Sequence, residues 1–560
     1  MATQKIREVP VLVIGGGPAG ATLAADLGWR GAGCLLVDET DGTNQHPRAN
    51  MAGQRSMEIF RRWGLADRML AASLPFDYPI DVIFSTRLNG FEITRFSLGS
   101  TAAFQKAAVK IPDIAWSPYF KTQIGQNFIE PVVCEFARSC ANVEVRHNWR
   151  LVSFTQDASG VTAEIEKTDG SAHETVRAKY MVGCDGGRSL VRHSLGIEFT
   201  GRGVLARNQS IYFDAPDFLE SHPRGPGTLL WTLAPELRGV FITIDGNSRW
   251  TYNTYFIDEN DTMDPAERIC KAIGRNIPIK VLSVQPWAGY QVVAEHYRKG
   301  RVFLCGDSAH LFNPTGGFGM NTAIADAADL GWKFAAVLAG WGDESLLDTY
   351  EAERRPVGVR NTVEAGSNFD RVATLMALPP EIEEDSERGR KAREAAAENI
   401  HSQKKTWSAS GMHLGFRYEG SPLIVPDGTP PPPDTAQVYH PTARPGHRAP
   451  HVWLGAKRST LDLVPREGFA LFNFGPDAEG AFAAAAKERG VPFVETRIDN
   501  AEAAALYERR YALVRPDGHV AWRGDAVPAD PGWILDLARG AVATQASSER
   551  RTAISTGTAR

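Results

Sequence analysis

Residues 11–14, a short aliphatic run, break directly into Gly15-Gly-Gly17-Pro-Ala-Gly20, and no other stretch limits the fold so strongly. Such a run is expected of a strand buried on both faces. A helical stretch over residues 21–30 follows, with Pro18 where a first turn tolerates it. Each glycine has its own physical task. Gly15 permits a tight turn, Gly17 lets backbone approach a pyrophosphate, and Gly20 lets the helix close on the strand. The helix N-terminus then presents unpaired N–H groups and a positive dipole end to phosphates. A second strand over residues 34–37 ends in Asp38, eighteen residues past Gly20, where a carboxylate accepts hydrogen bonds from a ribose. A chance glycine-rich turn explains the glycines alone, but not strand, helix, second strand and acid in register. The stretch predicts a dinucleotide site, and its acid favours an unphosphorylated ribose.

The rest of the chain must surround that unit. With 560 residues it is too long for one core, so two or three domains are expected. A net charge of -5 gives no basic field and argues against a nucleic-acid partner. No apolar run approaches a membrane-spanning length, and the N-terminus has no secretory apolar region. The six cysteines form no C-x-x-C and no metal-ligand spacing, so they read as reduced core thiols of a cytoplasmic protein that holds no metal.

Two later stretches repeat the theme of the first. In the segment from Tyr180 to Arg192, a strand runs into Asp185-Gly-Gly-Arg188, and a helix begins at Ser189, a good N-cap residue. A cap explains Ser189, but the two arginines, the aspartate and the paired glycines together suit a negatively charged ligand. From Arg301 a buried strand reaches Gly306-Asp307, then His310, and Pro314-Thr-Gly316-Gly317-Phe-Gly319-Met320-Asn321 opens a long helix to about Gly340. Asp329 and Lys333 are expected as an i,i+4 pair on the polar face of that helix. Arg48, ten residues beyond Asp38 and after the polar loop from Glu39 to Pro47, is placed to return to the same cofactor and clamp a phosphate.

Between these stretches, residues 78–124 and 206–293 read as β-structure, and the second block is dense in aromatics. Tyr212, Trp231, Tyr252 and Tyr255 are the candidate walls of a site for a planar ligand, because aromatics there alternate with Thr, Asn and Asp. A one-residue register error would invert that assignment. Residues 401–450, rich in proline, read as a linker that wraps the surface, and 451–545 as a small α/β domain.

One NAD needs only the first loop, whereas three loops from distant segments suit FAD, with Asp38 at the adenosine ribose and Asp307 near the ribityl chain. At these motifs the chain resembles the single-component (class A) FAD-dependent aromatic hydroxylases. The branch is that of the phenol, chlorophenol and polyketide hydroxylases. The resemblance rests on Gly15-x-Gly17-x-x-Gly20 with Asp38, on Asp185-Gly-x-x-Ser189-x-x-Arg192, and on Gly306-Asp307-x-x-His310 through Asn321. Arg444-Pro-Gly446 and the hairpin from Arg515 to Trp522 resemble the branch with a C-terminal thioredoxin-like domain.

The fold so implied is α/β: a Rossmann-like FAD-binding domain (1–77, 125–205 and 294–400), an inserted β-sheet substrate domain (78–124 and 206–293) and the thioredoxin-like domain. The resemblance assigns Gly15, Gly17, Gly20, Asp38, Glu39, Arg48, Gln126, Asp185, Asp307, Gly319, Met320 and Asn321 to the cofactor. Asn50, at a position where several relatives carry an acidic or imidazole group, is placed beside the substrate. Pro314, Gly316 and Gly317 are placed beside the reacting oxygen, the two glycine amides as donors. The implied reaction is hydroxylation of a phenol-type ring. NADPH or NADH reduces FAD, O₂ adds to form a flavin C4a-hydroperoxide, and the ring takes the terminal oxygen. A homodimer is left open. His310 reads either as a proton relay or as a core histidine. A flavin-dependent halogenase ranks lower, because none of the thirteen tryptophans forms Trp-x-Trp. A non-catalytic flavoprotein binding aromatics or a protein partner is the other reading.

Overall fold

The computed structural model describes residues 6–108, 116–256, 261–403, 409–476 and 480–542. Parts of the expected segments 1–77, 78–124, 206–293, 401–450 and 451–545 fall outside those residues. Arg7–Ile14 is a strand whose last four residues are buried, and helix Pro18–Trp29 follows it. His173–Gly183 and Cys34–Asp38 pair with this strand in parallel, one on each side. A parallel strand covered on both faces needs hydrocarbon on both, which explains the unbroken apolar run. Val302–Leu304 joins His173–Gly183 on the outside, and Val143–His147 joins Cys34–Asp38. Helix Gly319–Leu338 lies against Pro18–Trp29 at Gly331, where a Cβ would sit 2.4 Å from Asp26 Oδ2.

The second sheet runs His310–Leu311, Lys280–Ala294, Phe199–Asp214, Arg249–Thr254, Gly239–Thr243, Leu229–Thr232, Val82–Ser85, Glu92–Phe96. Its edge strand His310–Leu311 belongs to the loop that follows Val302–Leu304, so one short segment joins both sheets. One face buries Ile211, Phe213, Phe241, Trp250 and Tyr252 with Ile269 and Ile273 of helix Pro265–Ile273. The other face carries Ser210, Tyr212 and Ser283 toward the nucleotide sheet, where His46 bonds both serines. Residues 78–124 are not wholly β: Thr101–Ala108 is a helix, and Thr122–Gln123 leaves the sheet to pair with Met51–Ala52.

The third sheet runs Phe493–Arg497, Phe469–Asn473, Tyr511–Val514, Val520–Gly524. The proline-rich segment before it is packed onto it. Val425 N bonds Ala521 O at 2.9 Å, Gly446 N bonds Val520 O at 2.8 Å, and Ala449 N bonds Gly518 O at 2.9 Å. Proline removes helical periodicity but leaves its neighbours' amides free to extend a sheet edge. Asp329 and Lys333 depart from expectation, for both are buried, and Lys333 Nζ reaches Asp329 and Glu353 at 2.7 Å each. Among the described residues no helix is long and apolar enough to cross a membrane.

Candidate cofactor and substrate site

Three loops leave adjacent parallel strands at their carboxyl ends. Gly15 N bonds Val37 O at 2.8 Å, Cys184 N bonds Ile14 O at 2.7 Å, and Cys305 N bonds Gly183 O at 3.0 Å. The crevice outside such ends, where strand order reverses, is where open α/β sheets bind ligands. A Cβ at Gly15 (φ +99°) would lie 2.4 Å from Cys184 O, and one at Gly20 would lie 1.9 Å from Gly15 O. At Gly17 it would meet nothing within 4 Å. Helix Pro18–Trp29 has no side-chain cap. Open space in front of an uncapped helix start fits a pyrophosphate.

Asp38 accepts from Gly16 N, Thr40 Oγ and, at 2.8 Å, Thr40 N, which orients it at the strand end. Glu39 is exposed beside it. Arg48 is exposed and makes no ion pair with the described residues. Burial raises the carboxyl pKa of both Asp307 and Glu130, and Arg48 is near enough to oppose that rise at each. Asp307 opens to the crevice with protein behind it, and burial raises its carboxyl pKa against the pull of His310 and Arg48. It makes no hydrogen bond to the described residues, which leaves both oxygens for polyol hydroxyls. An unpaired arginine, a free carboxylate and the glycine cradle together fit a flavin dinucleotide.

Other expected positions have hydrogen-bond or packing partners within the protein. Asp185 accepts from Ser189 Oγ at 2.6 Å and Val191 N at 3.1 Å, so it caps its own helix. Arg192 lies over the Phe199 ring at 3.8 Å and bonds Gly187 O at 3.0 Å, which removes it from the ligand cluster. Gly317 N bonds Pro314 O at 3.1 Å, so of the two glycine amides only that of Gly316 stays without a partner among the described residues. Asn321 is fully used: its Oδ1 accepts from Gly53 N at 2.6 Å and Ser56 Oγ at 2.7 Å, and its Nδ2 donates to Gly317 O at 2.8 Å and Met51 O at 3.2 Å. It ties two loops together, while Gly319 and Met320 open an uncapped helix. Gln126 Nε2 bonds Glu130 Oε1 at 2.7 Å. Asn50 is half-buried and accepts Ile124 N through its carbonyl. His310 is a core histidine, its Nε2 2.6 Å from Asp326 Oδ2, and Arg354 Nε lies 2.7 Å from the other oxygen of that carboxylate.

The four candidate wall aromatics split. Tyr252 points into the far-side core, its hydroxyl donating to Leu237 O at 2.8 Å. The pleat decides this, because Tyr252 pairs with Ile211 whereas Thr251 pairs with Tyr212. Tyr212 packs against His46. Trp231 and Tyr255 stack on each other at 5.5 Å beneath Val372, Leu375 and Met376 of helix Thr349–Met376. Trp287, which is not one of the four candidate walls, is half-buried and meets Tyr255 edge-on. A Cβ at Gly289 would lie 3.5 Å from Trp287 and 2.2 Å from Asn313 Nδ2, so Trp287 borders the segment leading into Pro314. His46 and Glu58 were also missed, since neither sits in a motif and only their partners reveal them.

The fold and the site define a flavoprotein, and comparison with known proteins gives its kind. Residues 8–365 match the family model of an FAD binding domain, and residues 442–542 match that of the C-terminal domain of aromatic-ring hydroxylases. The chain belongs to the FAD-dependent aromatic-ring hydroxylases, flavoprotein monooxygenases. It is similar to tetracenomycin B2 monooxygenase-dioxygenase of Streptomyces olivaceus, 34% identical over 94% of this chain and 97% of that one. It is 30% identical to 2,4-dichlorophenol 6-monooxygenase of Cupriavidus pinatubonensis over 98% of each. Among solved structures it is similar to the rebeccamycin biosynthetic enzyme RebC with reduced flavin, with TM-score 0.87, 39% identity, and 96% of this chain and all of that one covered.

Proposed function

We propose that this protein hydroxylates a phenol-type aromatic ring, with NADPH or NADH as reductant and O₂ as the oxygen source. The observation that carries the reading is Asp307, a carboxylate without a partner among the described residues, on the turn where Gly306 meets Ala19 of the glycine cradle, with the unpaired Arg48 near enough to act on its charge. FAD, when bound, supplies the redox and oxygen-activating chemistry. The residues of the chain hold it and keep water out. The helix start at Pro18 takes the pyrophosphate, Asp38 the ribose, Asp307 the ribityl hydroxyls, and Arg48 returns to a phosphate. The turn of Pro314 to Gly317, with Gly316 at φ +107°, brings one free amide to the flavin edge. The ring lies between that turn, Trp287 and Tyr255. A relative named for dichlorophenol and another named for tetracenomycin B2 support a phenolic ring without fixing its size. Six free cysteines are in keeping with a reducing cytoplasmic setting.

The test is the FAD-loaded protein against a panel of mono- and polycyclic phenols, scored by NADPH or NADH consumption and product mass. A mass gain of one oxygen with matched reductant use is expected. If no ring accelerates reductant oxidation, the reading is wrong.

A further inference from the structure

Arg48 and Gln126 are carried on one two-stranded ribbon. Met51 pairs with Gln123 and Ala52 with Thr122, and the ladder continues through Ile124 N to Asn50 O at 3.1 Å and Gln126 N to Ala49 O at 2.8 Å. One strand runs on through Gly53 into helix Gln54–Arg62, and the other arrives from Ser117. Both lead to one side chain, Glu58, in the middle of that helix.

Glu58 is 2% exposed, and both of its oxygens are saturated. Ser117 Oγ donates at 2.6 Å to Oε1, which also accepts from Arg448 Nη2. Oε2 accepts from Arg448 Nε at 2.9 Å and Arg55 Nη1 at 3.0 Å. Arg448 is 1% exposed and extends the hub, donating to Trp116 O and the Tyr439 hydroxyl at 3.2 Å each. Next to it, Ala449 is hydrogen-bonded to Gly518 of the third sheet. Burial alone would raise the Glu58 carboxyl pKa, but Arg448 and Arg55 outweigh it and hold the group ionised.

A buried ion pair seldom adds stability over hydrocarbons of equal volume. What it does supply is direction, since a carboxylate with four donors fixes the relative placement of everything that donates. Here those donors come from the helix after one ribbon strand, the segment before the other, and the C-terminal part of the chain. We infer that Glu58 is a positioning residue through which Arg448 of the C-terminal region sets the cofactor-facing ribbon of Arg48 and Gln126. The third sheet thereby acts on the flavin site without touching it. The inference rests on the proposed role of Arg48 toward FAD, and it takes Gln126, expected at the cofactor, to face it as well.

The experiment compares E58Q, R448M and S117A with R48A, and with R523M, whose ion pairs to Asp427 and Glu508 lie at the third sheet away from the ribbon. Each full-length variant is measured for melting temperature, for FAD dissociation constant, and for peroxide released per reductant consumed. E58Q and R448M, folded at the assay temperature, should bind FAD at least about tenfold more weakly, the scale of one lost charge-assisted hydrogen bond. They should also release more peroxide. R523M should melt earlier yet bind FAD as the parent does. If E58Q does not fold, S117A decides, since it removes the Ser117 hydrogen bond to Glu58, with the long one from Tyr119 N, and leaves the ion pair, and it should still weaken FAD measurably. Parental FAD affinity and coupling in folded E58Q, or in S117A where E58Q fails to fold, overturns the inference. If R48A itself binds FAD like the parent, the ribbon reading fails instead.

Discussion

Arg515 and Glu353 form a two-point ion pair, Nη1 to Oε1 at 2.5 Å and Nη2 to Oε2 at 2.9 Å, with neither side chain exposed to solvent. Arg515 comes from the Pro-Asp-Gly turn of the third sheet, and Glu353 from helix Thr349–Met376 behind the nucleotide sheet. Lys333, Asp329 and Asp517 complete the buried cluster. Arg30 donates to the Pro516 carbonyl of the same turn at 3.3 Å, and Arg62 and Arg55 donate to Pro516 and Asp517. The C-terminal third is therefore plugged into the flavin domain.

Removing one partner should be costly. R515M leaves Asp517 buried without its arginine and Glu353 with Lys333 alone, so it should lower stability by about 3–5 kcal/mol. The double variant with E353Q should recover part of that loss. Denaturant titration checks both, and a loss below about 1 kcal/mol would show that the cluster is hydrated.

Stability should fall steeply in mild acid. Burial pushes the pKa of His413 and His447 down to about 3, and of His451 and His519 down to about 4. The unfolded chain takes up these protons from the ordinary 6.5 downward, whereas the folded one does not. Their neutral burial is therefore fully compatible with folding above pH 6.5, and stability is lost as pH falls toward 4, at about 1.4 kcal/mol per pH unit per group. His46 and His222, pushed down by burial to about 4, add to the loss, while the carboxyls that burial raises, Asp329 to about 6 together with Glu130, Asp185 and Asp307, work in the opposite sense. Melting temperatures at pH 7.5, 6 and 5 should drop progressively, and a flat profile contradicts the assignment.

The cradle glycines separate folding from binding. G17A meets no protein atom within 4 Å, so the apo protein should melt as the parent does while FAD affinity falls. In G20A the added carbon would lie 1.9 Å from the Gly15 carbonyl, so the helix must back away and the apo protein itself should lose stability. Calorimetry of both apo proteins, followed by FAD titration, distinguishes the two. Equal melting of G20A and the parent would refute the close approach.

Tyr252 and Trp287 should fail differently. Y252A empties a far-side core position and should cost about 3–5 kcal/mol without added peroxide. W287A loosens the proposed ring site, so reductant consumption should continue while peroxide rises at the expense of product. Peroxide per reductant is the measurement, and a leak in Y252A alone would move the pocket to the other face of the sheet.

The nucleotide half was legible in the residues because its constraints are local. A tight turn, a close helix–strand approach and an acid at a strand end each need particular residue types at fixed spacing, as Gly15, Gly20 and Asp38 provide. The Gly306-Asp307 turn at the end of Val302–Leu304 was legible for the same reason. Tyr252 was not, since one pleat separates a wall from a core and alternation alone carries no direction. Asp329 and Lys333 look like any solvated i,i+4 pair until Arg515 arrives from far along the chain.

By itself, then, the sequence determined the strand–turn–helix unit, the strand ends at which its loops turn and the kind of flavoprotein they imply, because short-range sterics and hydrogen bonding set those. Tertiary structure alone decided which face of the second sheet turns toward the nucleotide sheet, that Asp185 caps its own helix, and that Glu58 and Glu353 are hubs. A buried carboxylate acquires its role from donors hundreds of residues away, such as Arg448 at 2.9 Å from Glu58, and no local pattern records who those donors are.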